Sequence, residues 1–407
     1  MHVNRSQFME EGFLVLREVI PLAELNSLRE SYELMVTRQS EIWVKERQPH
    51  DPPGGAWETS AQPRLHLSRE PLSGLVDDKT ASTVEIWTHE NMQNVSSELL
   101  GEDDAGVTEM MLMCNPVKEH GPAAWHRDHH PIDTAPLQGY IDDILETGPR
   151  YVQWNLSLYD DNVLWVLPGS HLRVNTEQEN EQLLTDPRTP LQEGIQTHLN
   201  AGDGVVYILP ILHWGSNYSP KMRRTIHGGF SNFTHYPTLD YVEYLSPKAQ
   251  EMFDRWNARN HQMQKWTENA LRAVIEKDAS AYHGALENIH PSRGEKGKLL
   301  STVFLCKAAC FVALTHGCEL EDIPDDLRNR GRGFHSITLN WGPPFAEERF
   351  TQEEAGILWE RFTPLDTLLK TDEEHFLPGF QSGPMRYYFN EMPSNYGVAD
   401  FIASWQE

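Results

Sequence analysis

The chain has 407 residues, of which 39% are hydrophobic and 10% aromatic, a composition that predicts a globular protein with a full hydrophobic core. Its 60 acidic and 34 basic residues give a net charge of −26 at pH 7, which repels nucleic-acid phosphates and anionic membrane surfaces. We therefore expect a small-molecule substrate, no nucleic acid and no membrane as partners, and a monomer or a homodimer. Four cysteines are too few for a disulfide scaffold, and the N-terminal residues include no apolar signal core, so we predict a cytoplasmic location.

The first hundred residues are predicted to form a strand and two helices. Residues 12–20 have the pattern of a short strand, and Pro21 then opens a helix with apolar residues at steps of three or four. Residues 46–80 are rich in proline, glycine and charge, which indicates loop, and a second helix is predicted around 84–100.

A run of β-type segments follows, and helices occupy the rest of the chain. The predicted strands span residues 107–114, 151–159, 163–167, 205–212 and 224–230. The acidic segment 131–149 interrupts them, and it is either a lid over a pocket or a solvated surface loop. From about residue 240 the pattern is helical, with the strongest periodicity at 247–277, 298–315 and 352–362. The sequence thus predicts an α+β protein with a β core and N-terminal helices in 1–240, and a mainly helical extension in 241–407 packed on that core.

Three residues have the chemistry and spacing of metal ligands. If residues 126–128 are extended, the period of two in a strand points His126 and Asp128 to the same face. With His213, 87 positions after His126, they make a set of two imidazoles and one carboxylate. This set suits Fe(II), because three protein ligands on one face leave three positions open. For any one of the histidines, the alternative is an ordinary strand residue satisfied by hydrogen bonds.

An arginine pair follows the second histidine at a distance that allows a return to the same pocket. Arg223 and Arg224 lie about ten residues beyond His213, and a basic residue there can bind the far carboxylate of a dicarboxylic co-substrate. Because the two are adjacent in a predicted strand, only one of them can face the pocket.

These motifs, in this order, resemble the phytanoyl-CoA dioxygenase family. The resemblance also includes the phrase at 166–171 (Val-Leu-Pro-Gly-Ser-His) and the opening segment 8–17, and it covers about residues 5–235. It implies a double-stranded β-helix (jelly-roll, cupin-like) core that uses Fe(II), 2-oxoglutarate and O2. It further implies a dioxygenase that hydroxylates an unactivated C–H bond of a small metabolite and releases succinate and CO2.

The resemblance assigns roles to individual residues. His126, Asp128 and His213 are the implied iron ligands, and the presence of Asp128 favours oxygenation over halogenation. Counting from Asn217 favours Arg223 as the 2-oxoglutarate clamp, whereas counting from His213 favours Arg224; we prefer Arg223. Ser219 and Thr225 could add hydrogen bonds to the co-substrate carboxylate. Trp125, Trp154 and Trp214 lie beside motif residues and could wall the pocket, but for each of them we favour a place in the hydrophobic core, the usual one for a large aromatic residue.

Two other functions are compatible with the same residues. One is a cupin-type metalloenzyme that needs no 2-oxoglutarate. The other is a member of the fold that binds a metal or ligand without turnover. The arginine clamp argues against the first, and the complete ligand set argues against the second.

Overall fold

The computed structural model describes residues 1, 3–67, 74–128, 136–232, 239–291, 293–320, 341–375, 378–379, 385–387 and 391–405. Its helices are α1 (Arg5–Glu11), α2 (Leu22–Glu46), α3 (Ala56–Thr59), α4 (Ser82–Glu85), α5 (Glu90–Leu100), α6 (Leu137–Thr147), α7 (Glu177–Thr185), α8 (Pro247–Glu276), α9 (Ala279–Ile289), α10 (Glu295–Thr315), α11 (Gly342–Arg349), α12 (Gln352–Leu368) and α13 (Val398–Ser404). Its strands are β1 (Phe13–Leu16), β2 (Arg64–His66), β3 (Gly106–Cys114), β4 (Gly121–Pro122), β5 (Tyr151–Ser157), β6 (Trp165–Val166), β7 (Ile195–Gln196), β8 (Gly204–Ile208), β9 (His213–Trp214), β10 (Ser216–Asn217), β11 (Arg224–Ser231), β12 (Lys370–His375) and β13 (Met385–Tyr387). The predicted mixture of helices and antiparallel strands is confirmed.

The chain divides into two compact units that alternate along the sequence. The first comprises Met1–Arg127, Arg150–His171 and Asn175–Ala258. The second comprises Asp128–Pro149, Leu172–Val174 and Arg259–Glu407. The single division predicted between residues 240 and 241 stays a prediction.

The first unit is built on a six-stranded antiparallel sheet with the order β1-β8-β5-β11-β3-β2. One face of this sheet packs against the smaller sheet β7-β6-β9, because Val205 and Tyr207 of β8 share a hydrophobic cluster with Leu164 and Val166. We call this the inner face. Residues directly opposite each other on paired strands share a face, so the register extends the inner face from β8 across β5 to β11.

The other face of the six-stranded sheet, the outer face, is covered by the N-terminal helices. Trp154 of β5 donates its indole N–H to the hydroxyl of Ser96 in α5 at 3.0 Å. The ring of Phe230 in β11 lies 5.8 Å from that of Trp87, which follows α4. Alternate residues of each central strand therefore belong to two differently covered layers.

In the second unit, hydrogen bonds link helix α6 to the start of α10. The carboxylate of Glu146 accepts hydrogen bonds from the backbone N–H groups of Lys296 and Gly297, both at 3.1 Å. Arg293, which is buried, donates to the carbonyl of Gly148 just past the end of α6 at 3.0 Å. The acidic segment predicted as a lid or a surface loop is thus helical over Leu137–Thr147, while 129–135 lies outside the described residues.

Helix α10 is the most apolar element of the second unit. It is long and apolar enough to cross a membrane, but 89% of the qualifying window is buried inside the protein. A core helix in a globular protein has the same composition, and α10 packs against α6 and α12.

Candidate metal centre

The predicted ligands lie together. One donor atom from each of His126, Asp128 and His213 lies within 4.8 Å of the others. His126 and His213 form an isolated antiparallel bridge, in which each backbone N–H donates to the carbonyl of the other at 2.9 and 3.0 Å. Pairing holds the two imidazoles side by side, with ring centroids 4.5 Å apart, and Asp128 follows two residues after His126.

Hydrogen bonds orient both imidazoles for metal binding. Nδ1 of His126 lies 2.8 Å from the carbonyl of Ala124, and Nδ1 of His213 lies 3.0 Å from that of Ile211. A carbonyl oxygen only accepts, so Nδ1 is the donor in each ring, and in the neutral imidazole the lone pair is then on Nε2. Histidine ligands of metals usually donate their other ring N–H in this way. Two imidazole nitrogens and one carboxylate therefore fit a divalent transition metal.

Arg127 lies between His126 and Asp128 in sequence, and its side chain links the segments that carry the proposed ligands. Its buried guanidinium donates to the carbonyl of Ser170 at 2.8 Å, to that of Pro210, and to the side-chain oxygen of Asn175 at 2.8 Å. The hydroxyl of Ser170 in turn accepts the backbone N–H of Leu212, next to His213, at 2.8 Å. The ligand-bearing segments are therefore tied together. Sequence reasoning did not single out Arg127, although its place between two same-face ligands predicts that it points away from them.

The tryptophans beside the ligands belong to a hydrophobic cluster. Trp125 stacks on Trp214 with centroids 5.3 Å apart and an interplanar angle of 20°. Both pack in a buried cluster with Leu167 and Leu212. This placement agrees with the core position that we favoured for them over a pocket wall.

Polar side chains extend along the inner face from the metal ligands. The ring of Tyr207 lies 5.3 Å from that of His213, and its hydroxyl accepts a hydrogen bond from Gln153 at 2.8 Å. Gln153 lies next to His227, whose Nδ1 bonds the side-chain oxygen of Asn155. No local motif in the sequence indicates this row. Counting in steps of two from Arg223 along the strand would have placed His227 on the same face.

Arg223 and Thr225 share the inner face and both bind Asp161. Nε of Arg223 donates to Oδ2 of Asp161 at 3.0 Å, and the hydroxyl of Thr225 donates to the same oxygen at 2.9 Å. Burial would raise the pKa of Asp161, but the charge of Arg223 and hydrogen bonds from Val163, Arg223 and Thr225 lower it below its usual value. Asp161 is therefore an ionised partner of the arginine.

Arg224 lies on the outer face. Its Nη2 donates to Glu33 of α2 at 3.1 Å, and its Nη1 donates to the side chain of Asn115 at 3.0 Å. Its guanidinium lies 6.0 Å from the ring of Trp57. The structure therefore separates the two adjacent arginines onto different sides of the sheet.

Two of the weaker assignments receive no support from the placement of their residues. Trp154 lies on the outer face, where it donates to Ser96, because it alternates with the residues of β5 that pair with His227 and share its face. Its predicted contact with the cofactor is not supported by this placement and stays a prediction. Ser219 donates its hydroxyl to Glu119 at 3.2 Å, so its predicted contact with 2-oxoglutarate is not supported by its placement.

A set of two imidazoles and one carboxylate defines the class of site used by non-haem Fe(II) oxygenases. The chain matches the family model for phytanoyl-CoA dioxygenase (PhyH) over residues 8–225, more than half of its length, and it belongs to this family. The resemblance inferred from the sequence is thereby confirmed. Comparison with curated proteins gives no match.

Several solved structures are similar to this chain at low identity. AviO1 from Streptomyces viridochromogenes Tue57 is 16% identical, with 57% of this chain and 96% of that chain covered and a TM-score of 0.38. EctD from S. alaskensis, crystallised with 2-oxoglutarate and 5-hydroxyectoine, is 14% identical, with 60% and 81% covered and a TM-score of 0.40. EvdO2 from Micromonospora carbonacea var. aurantiaca, complexed with 2-oxoglutarate, is 17% identical, with 61% and 96% covered and a TM-score of 0.36. At these values the similarities identify no substrate.

Proposed function

We propose that the protein is an Fe(II)- and 2-oxoglutarate-dependent dioxygenase that hydroxylates a C–H bond of a small metabolite. The observation that carries the proposal is the group formed by His126, Asp128 and His213, in which Nδ1 of each imidazole is hydrogen-bonded to a backbone carbonyl. Membership of the phytanoyl-CoA dioxygenase family supports it. We further propose that the two facing sheets are the double-stranded β-helix of that family.

The protein's own residues would divide the work between holding and orienting. His126, Asp128 and His213 would hold the iron, which when bound supplies the activation of O2 coupled to decarboxylation of 2-oxoglutarate. Arg223 would bind the far carboxylate of 2-oxoglutarate, since it shares the inner face with Tyr207 and His227, whereas Arg224 does not. The net charge of −26 supports a neutral or cationic metabolite over an acyl-CoA, which carries several phosphates.

The test of this function is 2-oxoglutarate turnover by iron-loaded protein under oxygen. We expect succinate to form and O2 to be consumed slowly without the metabolite, and faster when a suitable metabolite is added. Asp128→Ala should abolish both, because it removes a metal ligand. Oxygen consumption without succinate would indicate a 2-oxoglutarate-independent oxygenase. Iron-loaded wild type that forms no succinate with a broad metabolite set would indicate a binding protein.

The arginine pair provides a matched comparison for the clamp. Arg223→Ala should weaken 2-oxoglutarate binding by about 100-fold or more, since a bidentate charged hydrogen bond to a carboxylate is lost. Arg224→Ala removes the same chemical group one residue away, on the outer face, and should leave the affinity within a few-fold of wild type. The reverse pattern would assign the clamp to Arg224.

A further inference from the structure

Asp161 is held rigidly next to the inner-face arginine. Its Oδ1 accepts the backbone N–H of Val163 at 2.8 Å, and its Oδ2 accepts the hydroxyl of Thr225 at 2.9 Å. Its backbone forms an isolated bridge with Leu199, with N–H to O distances of 2.9 and 2.8 Å. A carboxylate held in one position by these bonds can orient the guanidinium that donates to it.

The contact between Asp161 and Arg223 uses one edge of the guanidinium. Nε of Arg223 donates to Oδ2 at 3.0 Å, and both side chains are 7% exposed. In the described part of the chain, no other side-chain hydrogen bond of Arg223 is found, so neither Nη group has a protein partner there. Arg223 and Asp161 both line a cavity of about 230 Å³, together with Gln196 and Tyr218.

We infer that Asp161 is a positioning residue for the 2-oxoglutarate clamp: it holds Arg223 by Nε so that both Nη groups meet the far carboxylate of 2-oxoglutarate end-on. The inference rests on the proposed function. A guanidinium is a planar fork, so fixing Nε also fixes the plane of both Nη groups. Holding that plane before the ligand arrives reduces the loss of side-chain freedom on binding. Asp161 also keeps the buried cation paired when 2-oxoglutarate is absent.

The experiment compares aspartate variants. Iron-loaded protein is titrated anaerobically with 2-oxoglutarate, and isothermal calorimetry measures the Kd. Asp161→Asn has one acceptor oxygen instead of two, so an amide N–H faces Nε of Arg223 if the bond from Val163 is kept. We expect the Kd for 2-oxoglutarate to rise 10- to 100-fold, as is typical when a supporting partner of a binding group is removed. The control is Asp203→Asn, another buried aspartate that binds an arginine, Arg17, outside this site. It makes the same change in charge and should leave the Kd within twofold.

A second variant separates orientation from charge and also serves if Asp161→Asn does not fold. Asp161→Glu keeps the negative charge but moves the carboxylate by one methylene, so positioning predicts a weaker 2-oxoglutarate affinity and less preference over the longer 2-oxoadipate. Wild-type affinity and preference in Asp161→Glu or in folded Asp161→Asn overturn the inference, provided that wild type binds 2-oxoglutarate. Wild type that holds iron but does not bind 2-oxoglutarate overturns the proposed function and this inference with it.

Discussion

Replacement of Arg127 by methionine should lower both the stability of the fold and the affinity for iron. The guanidinium is 1% exposed and bonds the carbonyls of Ser170 and Pro210 and the side chain of Asn175. Methionine has a similar length but no donor, so these oxygens lose their charged partner. Each buried acceptor left without a bond costs about 1–3 kcal/mol. Relief from burying a charge offsets part of this, so we expect the free energy of unfolding to fall by about 3–5 kcal/mol.

The effect on iron follows from where those carbonyls lie. Ser170 binds the backbone of Leu212, and Pro210 is three residues before His213, so loosening them displaces the ligand. We expect Fe(II) to bind 10- to 100-fold more weakly, the usual range for residues that support metal ligands.

Denaturant unfolding of metal-free protein and anaerobic Fe(II) titration measure the two effects separately. The matched control is Arg224→Met, which removes another buried arginine, one that is paired with Glu33 on the outer face. It should lower stability and leave Fe(II) affinity unchanged. Arg127→Met with wild-type Fe(II) affinity would refute the view that Arg127 supports the metal ligands.

Three further predictions follow from the burial of individual side chains and from the alternation of strand residues between the two faces of the sheet. Burial lowers the pKa of His171 to about 4. Below about pH 6.5, His171 is therefore protonated in the unfolded chain but stays neutral in the folded protein. The free energy of unfolding should therefore fall by about 2 kcal/mol between pH 7 and 5, and His171→Gln should lack this part of the slope in denaturant unfolding. Burial raises the pKa of the Cys114 thiol to about 12, whereas Cys318 is half-exposed. Alkylation of native protein, measured by mass spectrometry, should therefore label Cys318 and not Cys114. Labelling of both in folded protein would contradict this. Trp154→Phe should cost about 1–2 kcal/mol through the lost bond to Ser96 and leave 2-oxoglutarate affinity unchanged; a weaker affinity would restore Trp154 to the site.

Elements with strong local patterns were predicted well from the sequence. The helices at 22–46, 247–276 and 295–315 follow apolar periodicity, and the strands at 106–114 and 224–231 follow β-type composition, so local residues alone identify them. The predicted strand 205–212 stops at Ile208 instead, because Pro210 cannot donate to a ladder.

The candidate metal ligands could be picked out because their chemistry is local in sequence. His126 and Asp128 are two residues apart, and only His213 had to be found at long range. Asp161 was not predictable in the same way. Asp161 lies in a turn, and its partner Arg223 is 62 residues away in sequence. No local pattern indicates that the two side chains form an ion pair.

The face to which each strand residue points could not be predicted from the sequence. Alternation in β5 shows that Trp154 and Asn155 point to opposite sides, but it does not show which side faces the smaller sheet. That depends on pairing with β8 and β11 and on the helices that cover the outer face. Tertiary pairing is therefore what assigned Trp154 to the helices and His227 to the metal side.

The most direct test of the central claim is an anaerobic titration of Fe(II)-loaded protein with 2-oxoglutarate, followed by visible absorption. If His126, Asp128 and His213 hold iron with positions left open, 2-oxoglutarate should chelate it and produce a weak charge-transfer band. The band should be absent in His126→Ala and should need much higher 2-oxoglutarate in Arg223→Ala. Iron-loaded wild type that shows no band at saturating 2-oxoglutarate would contradict the assignment of this protein as a 2-oxoglutarate-dependent oxygenase.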